Sequence, residues 1–146
     1  MESTNSRLLH PELTDKIIGV YYEIYNEVGH GFLESVYSNC MYLALRSAGL
    51  AVRREVPIPV YFRGSDVGRF KSDLVVAGCV LIELKATQNL DRSHEAQVIN
   101  YLRGIELEVA LLFNFGGHKP QFRRFVFENG NKKIRVYPRA SAVKIP

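Results

Sequence analysis

The run "VALLFNFG", Val109 to Gly116, contains no charged side chain and is rich in residues that favour strands. An extended chain points successive side chains to opposite faces, so an uninterrupted apolar run has to be covered on both. It predicts a central strand. A second run, "VLIELKAT" from Val80 to Thr87, reads the same way except that two opposite charges are set into it. Val80, Ile82, Leu84 and Ala86 would share one face, and Leu81, Glu83 and Lys85 the other. An ionised group in such a position loses its hydration, a heavy cost unless it is paired or bound to a metal. One face of this strand is read as core and the other as a site.

The segments around these runs have recognisable periods. Thr14 or Asp15 is expected to open a helix whose Ile17, Val20, Tyr21, Ile24 and Val28 form one apolar stripe, ended by "GHG" at Gly29 to Gly31. A second helix is predicted from about Phe32 to Ser47, packing through Leu33, Val36, Tyr37, Cys40, Leu43 and Ala44. Three strand-like segments follow, "EVPIPVYFRG", "GRFKSDLVVAG" and "CVLIELKAT", separated by glycine-containing turns and read as an antiparallel meander. Asp91 or Ser93 caps a third helix, "RSHEAQVINYLRG", with Ala96, Ile99 and Leu102 expected to face the sheet. After "VALLFNFG", the stretch "FRRFVFENGNKKIRVYP" reads as two short strands around a turn at Asn129-Gly130.

At 146 residues with 47% apolar content, the chain suits one globular domain, residues 1–146, with residues 1–10 expected to be flexible. No apolar run is long enough for a membrane span, and the polar start "MESTNSRLLHPELT" does not read as a signal peptide. A soluble, cytoplasmic protein without a membrane partner is expected. Cys40 and Cys79 are read as reduced core fillers rather than a metal pair. The net charge of +4 is unevenly spread: from His118 to Pro146 there are Lys119, Arg123, Arg124, Lys132, Lys133, Arg135, Arg139 and Lys144 against Glu128 alone. A basic C-terminal extension, 118–146, on a slightly acidic body suits a polyanion such as nucleic acid, or else merely solubilises the surface.

Asp73 lies in "KSDLVV", one strand before Glu83. An odd-length loop, Ala77-Gly78-Cys79, would set Asp73 directly opposite Glu83, with Cβ atoms about 5 Å apart. Two carboxylates would then meet on one face with Lys85 one pleat further along. A divalent cation resolves their repulsion, since Mg²⁺ is held by one or two carboxylates and keeps its other positions for water and phosphate oxygens. Lys85 beside it would orient the attacking water and offset charge on the phosphate. The rival reading is an ordinary cross-strand salt-bridge cluster.

Four ordered motifs add to this. "GFLESVY" at Gly31 to Tyr37, "KSDLVVAGCVLIELKAT" at Lys71 to Thr87, "HEAQVINYL" at His94 to Leu102 and "LLFNFG" at Leu111 to Gly116 together resemble the GxxExxY family of the PD-(D/E)XK nuclease superfamily. The resemblance covers roughly positions 10 to 128. It implies an α/β fold of the α+β kind, with an α-β-β-β-α-β core in which helices flank a central mixed sheet, as the order of segments also suggests. It implies that Asp73 and Glu83 bind metal, that Lys85 is catalytic, that Glu34 completes the metal site, and that Gln97 and Tyr101 support the site or the scissile strand. Ser72 stands where the superfamily name has proline.

These readings converge on a nuclease that hydrolyses phosphodiester bonds of DNA or RNA with Mg²⁺, or Mn²⁺ in its place. Asp73, Glu83, Lys85 and Gln97 are the candidate catalytic residues, and Glu34, Asp73 and Glu83 the candidate metal ligands. Tyr101, Arg123, Lys132 and Lys133 are candidate substrate contacts; Arg123 and Arg124 are adjacent on a strand, so at most one can line the site. Tyr37 is equally a core residue, and His30 and His94 are read as solvent-facing. The alternative is a module that binds nucleic acid or protein without catalysis, and a homodimer is a further expectation.

Overall fold

The computed structural model describes residues 9–132. Its elements run α1 (Pro11–Val28), α2 (Glu34–Ser47), β1 (Val52–Phe62), β2 (Ser65–Val76), β3 (Val80–Lys85), α3 (Arg92–Gly104), β4 (Val109–Asn114) and β5 (Gln121–Val126), then a 3-10 turn at Asn129–Asn131. The strands form one sheet in the order β1-β2-β3-β4-β5, with β3 and β4 parallel and all other pairs antiparallel. Parallel neighbours need a crossover, and α3 supplies it. The α+β class and the flanked mixed sheet are as expected.

β3 and β4 are buried almost throughout, because each face of the sheet carries its own core. On one face α1 and α2 bring Ile17, Tyr21, Tyr37, Met41 and Leu45 onto Leu74, Ile82, Leu84, Leu111 and Phe113. On the other, α3 brings Val98 and Leu102 onto Val75, Leu81, Ala110 and Leu112. Cys40 and Cys79 are free and half-buried, packed against the first core. Among the described residues, no helix is long and apolar enough to cross a membrane.

Several expectations are corrected. α1 starts at Pro11 rather than Thr14, since proline at the first helical position has its φ already set, and the Thr14 hydroxyl bonds back to the His10 and Pro11 carbonyls. In α2 the buried stripe is Tyr37, Met41 and Leu45, leaving Leu33 75% and Leu43 64% exposed. The helix is turned about its axis to stack Tyr37 flat on Phe115, ring centroids 4.3 Å apart. In α3, Val98 and Leu102 are buried while Ala96 and Ile99 face outward. His94 joins Asp91 in a reciprocal cap, its Nδ1 accepting the Asp91 N–H while the Asp91 carboxylate accepts from the Ser93 and His94 amides. The basic stretch after His118 supplies β5, the first of the two short strands expected there. Asn129-Gly130 lies in a 3-10 turn rather than a tight hairpin turn, with the Asn129 N–H held by the Glu108 carboxylate at 2.6 Å. Residues 133–138, expected as a further strand, lie outside the described residues.

At the carboxyl end of β4, Asn114 is wholly buried and its amide is fully used. Oδ1 accepts from the Thr87 and Gly116 amides, and Nδ2 donates to the Thr87 carbonyl and to Gln121 Oε1. This pins the turn that leaves β3 to the end of β4. Gly116 fits against that turn so closely that an added Cβ would lie 2.3 Å from the Thr87 nitrogen and 2.5 Å from the Ala86 carbonyl carbon. Both are backbone atoms that cannot swing aside. Gly116→Ala is therefore expected to cost about 1–3 kcal/mol, the scale of overpacking, in urea unfolding. An unchanged midpoint would show that the turn yields.

Candidate active site

The three-residue loop Ala77-Gly78-Cys79 sets the pairs Val76–Val80, Val75–Leu81 and Leu74–Ile82. Continuing that register by one step places Asp73 across from Glu83. There the backbone ladder gives way to side chains: the Leu84 N–H donates to Asp73 Oδ2 at 2.7 Å, and the Asp73 N–H donates to Glu83 Oε2 at 3.4 Å. Each carboxylate thus occupies a ladder position of the opposite strand, which holds the pair in register where β2 and β3 part.

β2 also changes its facing here. Phe70 packs in the core under α3, whereas Leu74 and Val76, of the same parity, pack under α1 and α2. β1 does likewise between Val52 and Val56, and Glu55 between them has a left-handed φ of 46°. The pairs Arg54–Leu74 and Val56–Ser72 place Glu55 across from Asp73. Irregularities of this kind re-aim side chains at sites.

Glu83 is only 6% exposed. Burial, and then the Asp73 carboxylate, push its pKa up to about 8. The Asp73 carboxyl is also raised, mainly by burial, with the Glu55 carboxylate adding to the rise and the Leu84 amide and Lys85 opposing it. The side-chain hydrogen bond between the carboxyls favours Glu83 as the protonated partner and Asp73 as the charged one. Without a cation the two carboxyls titrate as a coupled pair, both held above the ordinary carboxylate range.

Lys85, the last residue of β3, extends its Nζ to 3.4 Å from Gln97 Oε1 on α3. One turn further along α3, Tyr101 stacks flat on Phe70, ring centroids 3.8 Å apart. Burial, followed by the Glu83 and Asp73 charges, raises the Tyr101 hydroxyl above the ordinary phenol range. Asp73, Glu83, Lys85, Gln97 and Tyr101 therefore surround one spot, with α3 as its lid.

A model of the PD-(D/E)XK nuclease superfamily matches residues 11–125. The chain belongs to that superfamily. No curated protein and no solved structure matches it. Membership accords with the placement of Asp73, Glu83 and Lys85 on the two central strands, and superfamily members generally use divalent metals. Two carboxylates held together against their own repulsion suit such an ion, as hard oxygen donors that two positive charges would relieve. Among the described residues, no group of three His, Cys, Asp or Glu side chains stands close enough to hold a metal.

The other candidates are scattered. Glu34 is exposed in the first turn of α2, a helix whose Tyr37, Met41 and Leu45 pack on the sheet face away from α3. Arg123 lies on the α3 side but is paired with Glu95 at 3.2 Å, while Arg124 points the other way to the Leu9 carbonyl. Lys133 lies outside the described residues. Lys132 corrects the expectation of a phosphate contact: it is 5% exposed, and its ammonium donates to the Ile105 and Leu107 carbonyls at 2.7 and 2.8 Å. Lys132→Met is thus expected to lower stability by about 1–3 kcal/mol while leaving the salt dependence of nucleic-acid binding unchanged. Urea unfolding and a salt titration read the two effects, and a flattened salt slope would return Lys132 to the interface.

Sequence reading missed Glu55 and Asn114. Counting pairs back from the Arg63-Gly64 turn puts Glu55 opposite Ser72, but the ladder shifts by one at Val60/Tyr61 and brings it to Asp73. For Asn114, a lone amide inside an apolar strand was the available signal, because a buried amide demands partners.

Proposed function

We propose that the chain hydrolyses phosphodiester bonds of nucleic acid with Mg²⁺ or Mn²⁺ held at Asp73 and Glu83, and that it stands with the GxxExxY group of its superfamily. The observation that supports this best is the acid pair itself, fixed by two side-chain-to-backbone bonds at the parting of β2 and β3, with Lys85 one pleat on. A bound dication supplies Lewis acidity toward a phosphate oxygen and relieves the carboxylate repulsion. The Lys85 ammonium, steadied by Gln97, orients the attacking water and offsets charge building on the phosphate. Asp73 and Glu83 stay ionised with the cation present, and the Tyr101–Phe70 stack walls the site on the α3 side. A cleavage screen over single- and double-stranded DNA and RNA, with Mg²⁺, Mn²⁺ or chelator, tests the reading. Metal-dependent cleavage lost in Lys85→Ala supports it. Binding that needs no metal and survives Lys85→Ala, without any cleavage, identifies a non-catalytic binding module instead.

A further inference from the structure

Beyond the acid pair, the loops leaving β3 and β4 enclose a pocket of about 420 Å³ whose lining includes Gln88, Asn89, Gly117, His118, Lys119 and Gln121. Its floor is rigid. Gly117 sits so close to the loop after β3 that an added Cβ would lie 2.8 Å from the Gln88 carbonyl oxygen, and its own carbonyl accepts the Tyr25 hydroxyl. Gln121 Oε1 accepts from Asn114 Nδ2 and from the Leu90 amide at 3.0 and 3.1 Å.

The rim is different. Among the described residues, no hydrogen bond or ion pair engages the side chains of Gln88, Asn89, His118 or Lys119. Two carboxamides, each both donor and acceptor, thus face a preformed hollow beside a free ammonium. The His118 ring is a flat surface steadied edge-to-face by His30, centroids 4.9 Å apart. The hollow opens at the carboxyl ends of the parallel pair β3–β4, the end of β3 that also carries Lys85. Gln88 follows Lys85 by three residues, so its backbone lies within about 10 Å of it.

We propose that this pocket is a nucleotide subsite, holding one nucleotide of the strand whose neighbouring phosphate is placed at Lys85. Asn89 and Gln88 read the base edge, the His118 ring stacks on the base, and Lys119 meets a phosphate. The inference rests on the nuclease reading for its orientation, because that reading puts the scissile phosphate beside Lys85. It adds base preference to a site whose acids hold the metal and whose lysine meets the phosphate, neither of which reads a base.

The test is fluorescence anisotropy of labelled five-nucleotide homopolymers, ribose and deoxyribose series, with the full chain in chelator so that nothing is cut. The wild type is expected to bind at least one strand with a base preference. Asn89→Ala with Lys119→Ala is expected to weaken that strand about tenfold and to erase the preference. Arg69→Ala in the β1–β2 hairpin, offered as the binding control, is expected to retain both the affinity and the preference. The Asn89 and Lys119 side chains are exposed and, among the described residues, make no hydrogen bond, and Lys119→Gln, which removes the charge but keeps a polar end, gives a second reading of the charge. Comparison of the two series tells whether the natural ligand is RNA or DNA. No binding by the wild type, or equal binding by the double variant, overturns the subsite. Failure of the nuclease reading looks different: metal then produces no cleavage, while pentanucleotide binding still depends on Asn89 and Lys119.

Discussion

Lys85→Ala is expected to lower metal-dependent cleavage about a thousandfold or more, while melting close to wild type. The size follows from removing a preorganised positive group aimed at developing phosphate charge, a loss of about 10²–10³ for one such donor, together with the group that orients water. The small effect on stability follows from position: Lys85 is half-buried at a strand end and, among the described residues, its ammonium donates to Gln97 Oε1 at a long 3.4 Å. Asp73→Asn and Glu83→Gln are expected to fall as far in activity, and any double variant no further than the worst single one, because the three act as a unit. Asn suits Asp73 better than Ala, since its side-chain oxygen still accepts the Leu84 N–H that holds β3. Single-turnover cleavage at saturating Mg²⁺ with parallel melts measures both effects. Wild-type rates from Lys85→Ala would remove the mechanism.

Raising the pH of the metal-free protein from 5 to 9 is expected to destabilise it, and Mg²⁺ is expected to reverse the loss. Glu83 in the folded chain titrates at about 8, against an ordinary value of 4.5. The folded state therefore binds the extra proton, so this group favours folding below the unfolded value and loses that contribution as pH rises through about 8. For a carboxyl this deeply buried the loss is on the order of a few kcal/mol, and the raised Asp73 carboxyl acts in the same direction. Glu83→Gln cannot ionise and should flatten the pH curve. A cation binds only the ionised pair, so its stabilisation grows with pH, reaching about 2.7 kcal/mol at a hundredfold excess over Kd. Asp73→Asn removes one charge of the pair and should leave the apo protein as stable as wild type or more so, with a smaller Mg²⁺ effect. A salt-bridge cluster demands the reverse, since losing Asp73 would strand Lys85 and Mg²⁺ would do nothing. Thermal melts of the three proteins across pH 5–9, in chelator and in Mg²⁺, separate the two, and a metal-insensitive wild type would sink the metal site.

The strand pair that carries the acids was legible in the sequence because everything that determines it is local. A three-residue loop and a period of two decide which residues of β2 and β3 oppose each other, and the uninterrupted apolar run at Val109 could only be a strand covered on both faces. The Asp91 cap and the stripe of α1 were legible for the same reason. What the tertiary structure decided depends on sums of small displacements that no local pattern contains. One bulge between Val60 and Tyr61 moves Glu55 from Ser72 to Asp73. A turn of α2 about its axis, taken to seat Tyr37 on Phe115, exposes Leu33 and Leu43. Lys132 reads as one more cation in a basic run, but the fold surrounds its ammonium with the carbonyls of Ile105 and Leu107, more than twenty residues away. Periodicity and turn length act over a few residues and set which side chains share a face. Burial and long-range partners are settled only when the faces meet, because the free energy of a charge depends on what surrounds it and not on its neighbours in sequence.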